Sequence, residues 1–209
     1  MDTRKGISPL FILLITVAGF FAAKFLGNYN STAVTISLII VNAIVCIMIR
    51  SGKLDWQALS SSYDTAIAGK DYSRIVTAQF THVDTGHIFM NMLSLWNLGS
   101  VVEPFLGSGL FYVMYMICIV IGGLVSVLIH GRKDPGTPSV GASGAIYGIF
   151  GMYIVFAVYV SGIGGLQGTL RSILLMILMS LNPRIDSTAH FCGFFCGIAE
   201  AILLLLILT

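Results

Sequence analysis

Charged residues are scarce in this sequence. They make up 10% of the 209 residues, and the formal net charge is only +2. Soluble globular domains contain about 25% charged residues, so the composition excludes an ordinary soluble domain. The small net charge also gives no electrostatic basis for binding nucleic acid.

Cysteine is also scarce, and its placement argues against a disulfide framework. The four cysteines all lie within apolar segments rather than loops, at Cys46, Cys118, Cys192 and Cys196. Disulfide-stapled domains are small, secreted and loop-rich, unlike these segments. The four histidines do not show the ligand spacing of a zinc site; they are His82, His87, His130 and His190. The sequence therefore implies no metal, no cofactor and no particular redox compartment.

Long apolar segments are what the chain has in abundance. Hydrophobic residues make up 56% of it, and a membrane-spanning helix needs roughly 20 in succession. Apolar runs occur at Ile7–Leu26, Ala33–Ile49, Ile88–Phe105, Leu110–His130, Ser143–Val160, Leu170–Leu181 and His190–Leu208. The sequence therefore predicts an all-α polytopic membrane protein with seven helices, of which the sixth is the shortest.

The first apolar run has two interpretations. Arg4 and Lys5 precede it, and Ala22 and Ala23 lie near its end, as in a secretory signal peptide. Its apolar stretch is longer than the roughly 7–15 residues of such a peptide. This length favours a transmembrane helix that is retained in the mature protein.

The segment GASG, from Gly141 to Gly144, brings a serine into an apolar run. Serine and glycine commonly form close-packing motifs between transmembrane helices. Small neighbours would equally give a nucleophilic Ser143 hydroxyl an approach path. They would also leave backbone N–H groups at a helix start free to stabilise an oxyanion. On this segment alone, both interpretations stay open.

His190 is the candidate partner for that serine, although a buried structural histidine is the plain alternative. Ionisable groups inside a membrane are costly and usually functional, and imidazole can act as a general base near neutral pH. Gly193 and Gly197 follow at i+3 and i+7 and share its helical face. Such a face lets a neighbouring helix approach until His190 reaches Ser143, with Tyr147 one turn below to stack on the ring.

Other polar residues in apolar runs have mixed interpretations. His87 and Asn91 are four residues apart and could complete an oxyanion hole, or could be an interfacial histidine and an interhelical hydrogen bond. We expect structural roles for the glutamates. Glu103 would tether the loop that follows it, and Glu200 would cap a turn of a neighbouring helix or pair with Arg171.

Taken in order, these motifs resemble the rhomboid family of intramembrane serine proteases. The likeness runs from about Thr35 to Gly197. HIFMN fits the family's His-x-x-x-Asn, GASG fits Gly-x-Ser-Gly with a tyrosine four beyond the serine, and AHFCGFFCG fits Ala-His-x-x-Gly-x-x-x-Gly. The resemblance implies a six-helix core, which we assign to residues 33–209, with an extra N-terminal transmembrane helix in residues 1–32.

The resemblance also implies a role for each residue. Ser143 would be the nucleophile and His190 its base, forming a dyad without an acidic third member. The Ser143 backbone N–H, His87 and Asn91 would bind the oxyanion, and Tyr147 would orient His190. The supporting glycines would be Gly141, Gly144, Gly193 and Gly197.

Two further residues acquire implied roles in the same way. His82 fits a second histidine that the family often carries before the oxyanion histidine, and it would be structural. Arg74 would anchor the long polar connection between Arg50 and Gly86, which in the family lies partly in the membrane interface.

The implied activity is endoproteolysis of transmembrane protein substrates within the lipid bilayer, through an acyl-enzyme. No nucleic acid or cofactor takes part, and no oligomeric state is implied. The expected location is a prokaryotic cell membrane, as a multi-pass protein. Two alternatives are a catalytically inactive relative that binds membrane helices and a small transporter or channel, although no inverted repeat supports the last.

Two expectations about orientation disagree. Basic residues concentrate on the side of the predicted bundle that holds Ser143. They are Arg4, Lys5, Arg50, Lys53, Lys70, Arg74, Arg132, Lys133 and Arg184, against Arg171 and Lys24 on the other side. The positive-inside rule would turn Ser143 toward the cytoplasm, whereas the family usually faces it outward.

Overall fold

The long helices confirm the all-α prediction. The computed structural model describes residues 8–25, 32–167, 174 and 186–208. The long helices there are α1 (Pro9–Phe25), α2 (Ala33–Arg50), α5 (Thr85–Leu106), α6 (Ser108–His130), α7 (Ser143–Ser161) and α8 (Ser187–Leu208). The predicted run Leu170–Leu181 lies outside the described residues, apart from Leu174.

Four of these helices, α2, α6, α7 and α8, are long and apolar enough to cross a membrane, and α1 contains the shorter apolar stretch Leu10–Phe21. The described part of the chain contains no strand, and its single β-bridge joins Ser61 to Ser139. The protein is therefore an all-α, polytopic membrane protein.

Two helices begin three residues earlier than their apolar runs, because an aspartate caps each of them. The Asp84 carboxylate accepts a hydrogen bond from the His87 N–H at 2.7 Å, so α5 starts at Thr85 rather than Ile88. The Asp186 carboxylate accepts from the Ala189 N–H at 3.0 Å, so α8 starts at Ser187. Side-chain oxygens at this position satisfy N–H groups that have no partner inside the helix.

Glu103 stabilises the start of α2. Its carboxylate is fully buried and accepts from the backbone N–H groups of Val34 and Thr35, both at 2.8 Å, and from the Thr35 hydroxyl at 2.7 Å. The positive end of the α2 dipole also favours this negative charge. Ser108 donates to the same carboxylate at 2.6 Å, so the expected tether to the following turn exists, but the main partner is a helix 68 residues away.

The connection between α2 and α5 is folded against the bundle. It contains α3 (Trp56–Leu59), a π-helical turn (Tyr63–Ala68), α4 (Ser73–Thr77) and a 3-10 turn (Ala78–Phe80). Arg74 Nη1 donates to the carbonyls of Gln57 and Ser60 at 2.9 and 3.2 Å, so Arg74 joins α4 to the region of α3. This is the anchoring contact that the sequence resemblance implied.

α7 lies in the middle of the packed helices, against α5, α6 and α8. Its buried face includes Ala145, Ile146 and Ile149, which are at most 1% exposed. α1 lies at the edge and packs along α2, where its Ile12 side chain is buried. The bundle therefore surrounds the helix that begins at Ser143.

Candidate functional site

Ser143 and His190 meet at the start of α7 and α8. The Ser143 Oγ and His190 Nε2 atoms are 2.7 Å apart, and His190 is only 3% exposed. The Tyr147 ring stacks on the His190 ring, with centroids 4.1 Å apart and planes 12° from parallel. Because Tyr147 follows Ser143 by one helical turn, the imidazole is held between the hydroxyl and the phenol ring.

Gly141 has a backbone conformation that brings two further side chains to the site. Its φ is +109°, which L side chains rarely adopt. A Cβ atom there would lie 2.6 Å from both Cε1 and Nε2 of His87, and 3.5 Å from Asn91 Nδ2. His87 and Asn91 therefore lie against the backbone two residues before Ser143, and the Gly141 N–H donates to the Ala78 carbonyl at 2.9 Å.

Asn91 and His82 complete the polar surroundings of His87. Asn91 is buried, and its Nδ2 has no hydrogen-bond partner among the described residues. The rings of His82 and His87 meet edge to face with centroids 4.9 Å apart. Burial lowers the pKa of His82 from its ordinary 6.5 to about 3, and the neighbouring His87 acts in the same direction. His82 is therefore neutral at physiological pH.

The α7 and α8 backbones touch at glycines. A Cβ on Gly193 would lie 1.9 Å from the Gly144 carbonyl oxygen, and one on Gly197 would lie 1.9 Å from that of Gly148. Real Cβ atoms essentially never come within 3.0 Å of another atom, so only glycine fits on the α8 side. Gly144 itself has ordinary space, since its Cβ would lie 3.4 Å from the nearest atom, the Ala189 carbonyl oxygen.

Asp186 is a residue near this site that sequence reasoning missed. One carboxylate oxygen accepts from the Ala189 N–H, and the other accepts from the hydroxyls of Ser126 and Ser139, the latter at 2.7 Å. His130 Nε2 lies 3.7 Å from the first oxygen. An aspartate shortly before an apolar run is a helix-start signal, and this signal could have identified Asp186.

Among the described residues, the side chain of Glu200 bonds to a cysteine and caps no helical turn. Its Oε2 accepts from the Cys118 thiol at 3.2 Å, and Arg171 lies outside the described residues. Cys118, Cys196 and Glu200 each bring a potential ligand atom within 4.8 Å of the others, the one such group that the described ranges contain.

Comparisons with known proteins point in one direction. The family model described as Rhomboid domain matches residues 69–207. The chain is 30% identical over 86 residues to Rhomboid protease GluP of Bacillus subtilis, covering 41% of this chain and 16% of that protein. It is 28% identical over 113 residues to Rhomboid-like protease 3 of Toxoplasma gondii, covering 53% of this chain and 41% of that protein.

A third relative is Rhomboid protein 1, mitochondrial, of Saccharomyces cerevisiae. It is 36% identical over 71 residues, covering 33% of this chain and 20% of that protein. The chain thus spans less than half the length of each of these relatives. They come from bacterial and eukaryotic sources, so the prokaryotic location stays a prediction. Because the Rhomboid domain model covers more than half of the sequence, the chain belongs to the rhomboid family.

Proposed function

We propose that this chain is an intramembrane serine endopeptidase that hydrolyses a peptide bond in or near a transmembrane helix of another protein. The observation that carries the proposal is the 2.7 Å separation of Ser143 Oγ and His190 Nε2 between two apolar helices. A serine that only packs between helices has no need of an imidazole at hydrogen-bond distance. Membership of the rhomboid family supports the same reaction class.

In the proposed reaction, His190 Nε2 takes the proton from Ser143 Oγ as that oxygen attacks the scissile carbonyl carbon. The resulting imidazolium gives this proton to the leaving amine when the tetrahedral intermediate collapses. The acyl group then remains on Ser143 as an ester. A water molecule, deprotonated by His190, attacks the ester and releases the carboxyl product, and the proton returns to Ser143 Oγ.

The oxyanion is stabilised at the start of α7. Ser143 is the first residue of that helix, so its backbone N–H has no intrahelical partner. The buried Asn91 Nδ2 group has no partner in the part of the chain that the structure describes, and the His87 imidazole lies against the same backbone. A donor without a partner in the free enzyme can bind the developing negative charge without first breaking another bond.

Tyr147 orients the base. Its ring lies parallel to the imidazole at 4.1 Å, which restricts rotation of His190 about its side-chain bonds. Orientation matters more here than in a triad, because the proposed mechanism assigns no carboxylate to the imidazole. Gly193 and Gly197 act in the same sense, since they set the separation of the helices that carry the two residues.

The substrates in this proposal are transmembrane proteins, and the lipid bilayer is the medium in which they reach the enzyme. Their peptide bonds must be unwound before attack, because carbonyl groups within an α-helix are shielded by the helix itself. The catalytic unit comprises residues 33–209, and α1 is an additional helix packed on α2.

Cleavage in liposomes tests the proposal. Purified protein is reconstituted with a substrate that has a single transmembrane helix and small residues at the end of that helix. We expect the wild type to cut it, and Ser143→Ala and His190→Ala to reduce the rate by at least about 1,000-fold. Ser161→Ala is the matched control, because Ser161 is exposed at the other end of α7.

Retained cleavage in Ser143→Ala would contradict the proposed nucleophile. If the wild type captured the substrate helix but never cut it, the chain would instead be an inactive relative that binds membrane helices.

A further inference from the structure

The segments that lead into Ser143 and His190 are joined at equivalent positions. Ser139 precedes Ser143 by four residues, and Asp186 precedes His190 by four residues. The Ser139 hydroxyl donates to Asp186 Oδ2 at 2.7 Å. Asp186 Oδ1 accepts a hydrogen bond from the backbone N–H of Ala189, which is the residue just before His190. One carboxylate therefore holds the approach to both residues.

Ser139 is itself held in place by backbone hydrogen bonds, so its hydrogen bond to Asp186 can fix the position of the start of α8. Its N–H donates to the Ser61 carbonyl at 2.7 Å, and its carbonyl accepts from the Ser61 N–H at 3.2 Å. The residue is 8% exposed. Ser139 thus links three parts of the fold: its backbone bonds to Ser61 in the folded connection, and its hydroxyl joins the segment entering α7 to Asp186 at the start of α8.

We propose that Asp186 is a positioning residue that, through Ser139, sets the register of α7 against α8 at the level of Ser143 and His190. The glycine contacts set how far apart the two helices lie, but they do not prevent one helix from sliding or tilting along the other. The hydrogen bond from Ser139, just before α7, to Asp186, just before α8, restricts that movement. This inference rests on the proposed protease function.

The proposed reaction tolerates little displacement of Ser143 from His190. Proton transfer needs the two heavy atoms within about 2.6–3.2 Å, and a displacement of about 1 Å can reduce a rate by about 100-fold. Ser126 gives an internal comparison, because its hydroxyl donates to the same carboxylate oxygen. Ser126 lies on α6, however, which carries neither Ser143 nor His190.

The experiment compares Ser139→Ala with Ser126→Ala, each of which removes one hydroxyl from Asp186. The readouts are thermal stability and the kinetics of substrate cleavage. We expect Ser139→Ala to lower kcat by about 10-fold with KM nearly unchanged, and Ser126→Ala to lower kcat by less than about 3-fold. Both variants should lose similar thermal stability, because each loses one hydrogen bond to the same group.

Asp186→Asn and Asp186→Ala add a second test. Asparagine can still accept from the Ala189 N–H and bond to the Ser139 hydroxyl, so we expect it to keep more of kcat than alanine does. Equal kcat losses in Ser139→Ala and Ser126→Ala, or losses that simply follow thermal stability, would overturn the positioning role. An inactive wild type would overturn the proposed function, and this inference with it.

A second, independent inference concerns a cluster of three side chains, Cys118 on α6 with Cys196 and Glu200 on α8. The two α8 residues follow His190 along the same helix. The ligand atoms of the cluster lie within 4.8 Å of one another. The Cys118 sulfur occupies the space that a Cβ on Gly148 would fill, at 2.3 Å from that position. Among the described residues, the buried Glu200 Oε1 has no hydrogen-bond partner, an expensive arrangement for a carboxyl group inside an apolar bundle.

The geometry points to a binding site for a borderline or soft divalent cation, with Zn²⁺ and Cd²⁺ as suitable ions. Thiolate sulfurs select such ions, and a carboxylate oxygen is a compatible third ligand. On binding, the two thiols would release their protons to solvent, and the ion would take the place of these protons. Glu200 Oε1, which has no partner among the described residues, would then gain one.

Cadmium titration tests this site without reference to proteolysis. The probe is Cd²⁺ added to detergent-solubilised protein that has been reduced with a phosphine, so that no disulfide masks the thiols. We expect thiolate-to-cadmium absorption at one ion per chain. Cys196→Ser should abolish it, and Glu200→Gln should weaken binding by about 10–100-fold. Cys192→Ser, one turn away and outside the cluster, should leave it unchanged.

Absence of this absorption in the wild type would overturn the site. So would equal absorption in wild type and Cys196→Ser. Cys196 is half-buried, so its substitution is better tolerated than that of buried Cys118.

Discussion

The contact between α7 and α8 differs in kind from the contact between α1 and α2, although both contain glycine. At the first, a Cβ on Gly193 would meet a backbone carbonyl oxygen at 1.9 Å. At the second, a Cβ on Gly19 would meet the side chain of Ser37, at 2.9 Å from its Oγ and 3.1 Å from its Cβ, while the nearest backbone atom of Ser37 lies 3.6 Å away. A small shift of α1 at the edge of the bundle relieves such a contact. Backbone contact therefore fixes the spacing of the helices that carry Ser143 and His190, while α1 is held by adjustable side chains.

Gly193→Ala should have the largest effect. Alanine favours a helix by about 1 kcal/mol over glycine, but here the added methyl forces α8 away from α7 and separates His190 from Ser143. We expect the cleavage rate to fall by at least about 100-fold. Gly122→Ala is the matched control, because its Cβ would lie 3.5 Å from the nearest atom, the carbonyl oxygen of Ala189 on α8. Equal loss in both variants would show that the backbone contact is not special.

Gly141→Ala should have the next largest effect. The substitution strains a backbone with φ of +109° and drives a methyl into His87, so we expect about a 30-fold lower rate. Gly52→Ala has a comparable positive φ of +71° but nothing within 4 Å. It should lose stability by about 1–2 kcal/mol while keeping its activity. A similar rate loss in Gly52→Ala would assign the effect to backbone strain rather than to His87.

Acid should weaken the end of the bundle that holds Ser143. The folded protein keeps the pKa of His82 at about 3, well below its ordinary 6.5, chiefly through burial. Between these values the unfolded chain binds a proton that the folded protein does not. The free energy of unfolding should therefore fall as pH drops from about 6.5 toward 3. Thermal melts across this range should show a shallower slope in His82→Asn, and identical slopes would contradict the burial argument.

Gly19→Ala should have the smallest effect. Ser37 can yield, and the gain in helix propensity offsets part of the contact, so we expect thermal stability to change by less than about 1 kcal/mol. Cleavage should be unaffected. A loss as large as that in Gly193→Ala would remove the distinction between the two helix contacts.

Much of this architecture follows from local sequence. Apolar length alone predicted the spanning helices. The positions of Gly193 and Gly197, three and seven residues after His190, predicted a helix face small enough for the helix of Ser143 and Tyr147 to approach closely. The helix starts at Thr85 and Ser187 were predicted three residues late because the apolar pattern outweighed the capping signals of Asp84 and Asp186.

Contacts between distant segments could not be predicted in the same way. The partners of Glu103 lie 68 and 69 residues away, and those of Asp186 lie on α6 and before α7. Cys118 and Glu200 are 82 residues apart. Which buried polar groups meet depends on how the helices pack, and a single sequence carries no periodic signal for that choice.

The most direct test of the central proposal is reaction with a fluorophosphonate probe, followed by mapping of the modified peptide. An activated serine attacks such a probe, whereas a serine that only packs between helices does so hardly at all. We predict labelling of the wild type at Ser143 alone, and no labelling in Ser143→Ala or His190→Ala. An unlabelled wild type in a folded sample, or labelling that persists in His190→Ala, would contradict a nucleophile activated by His190.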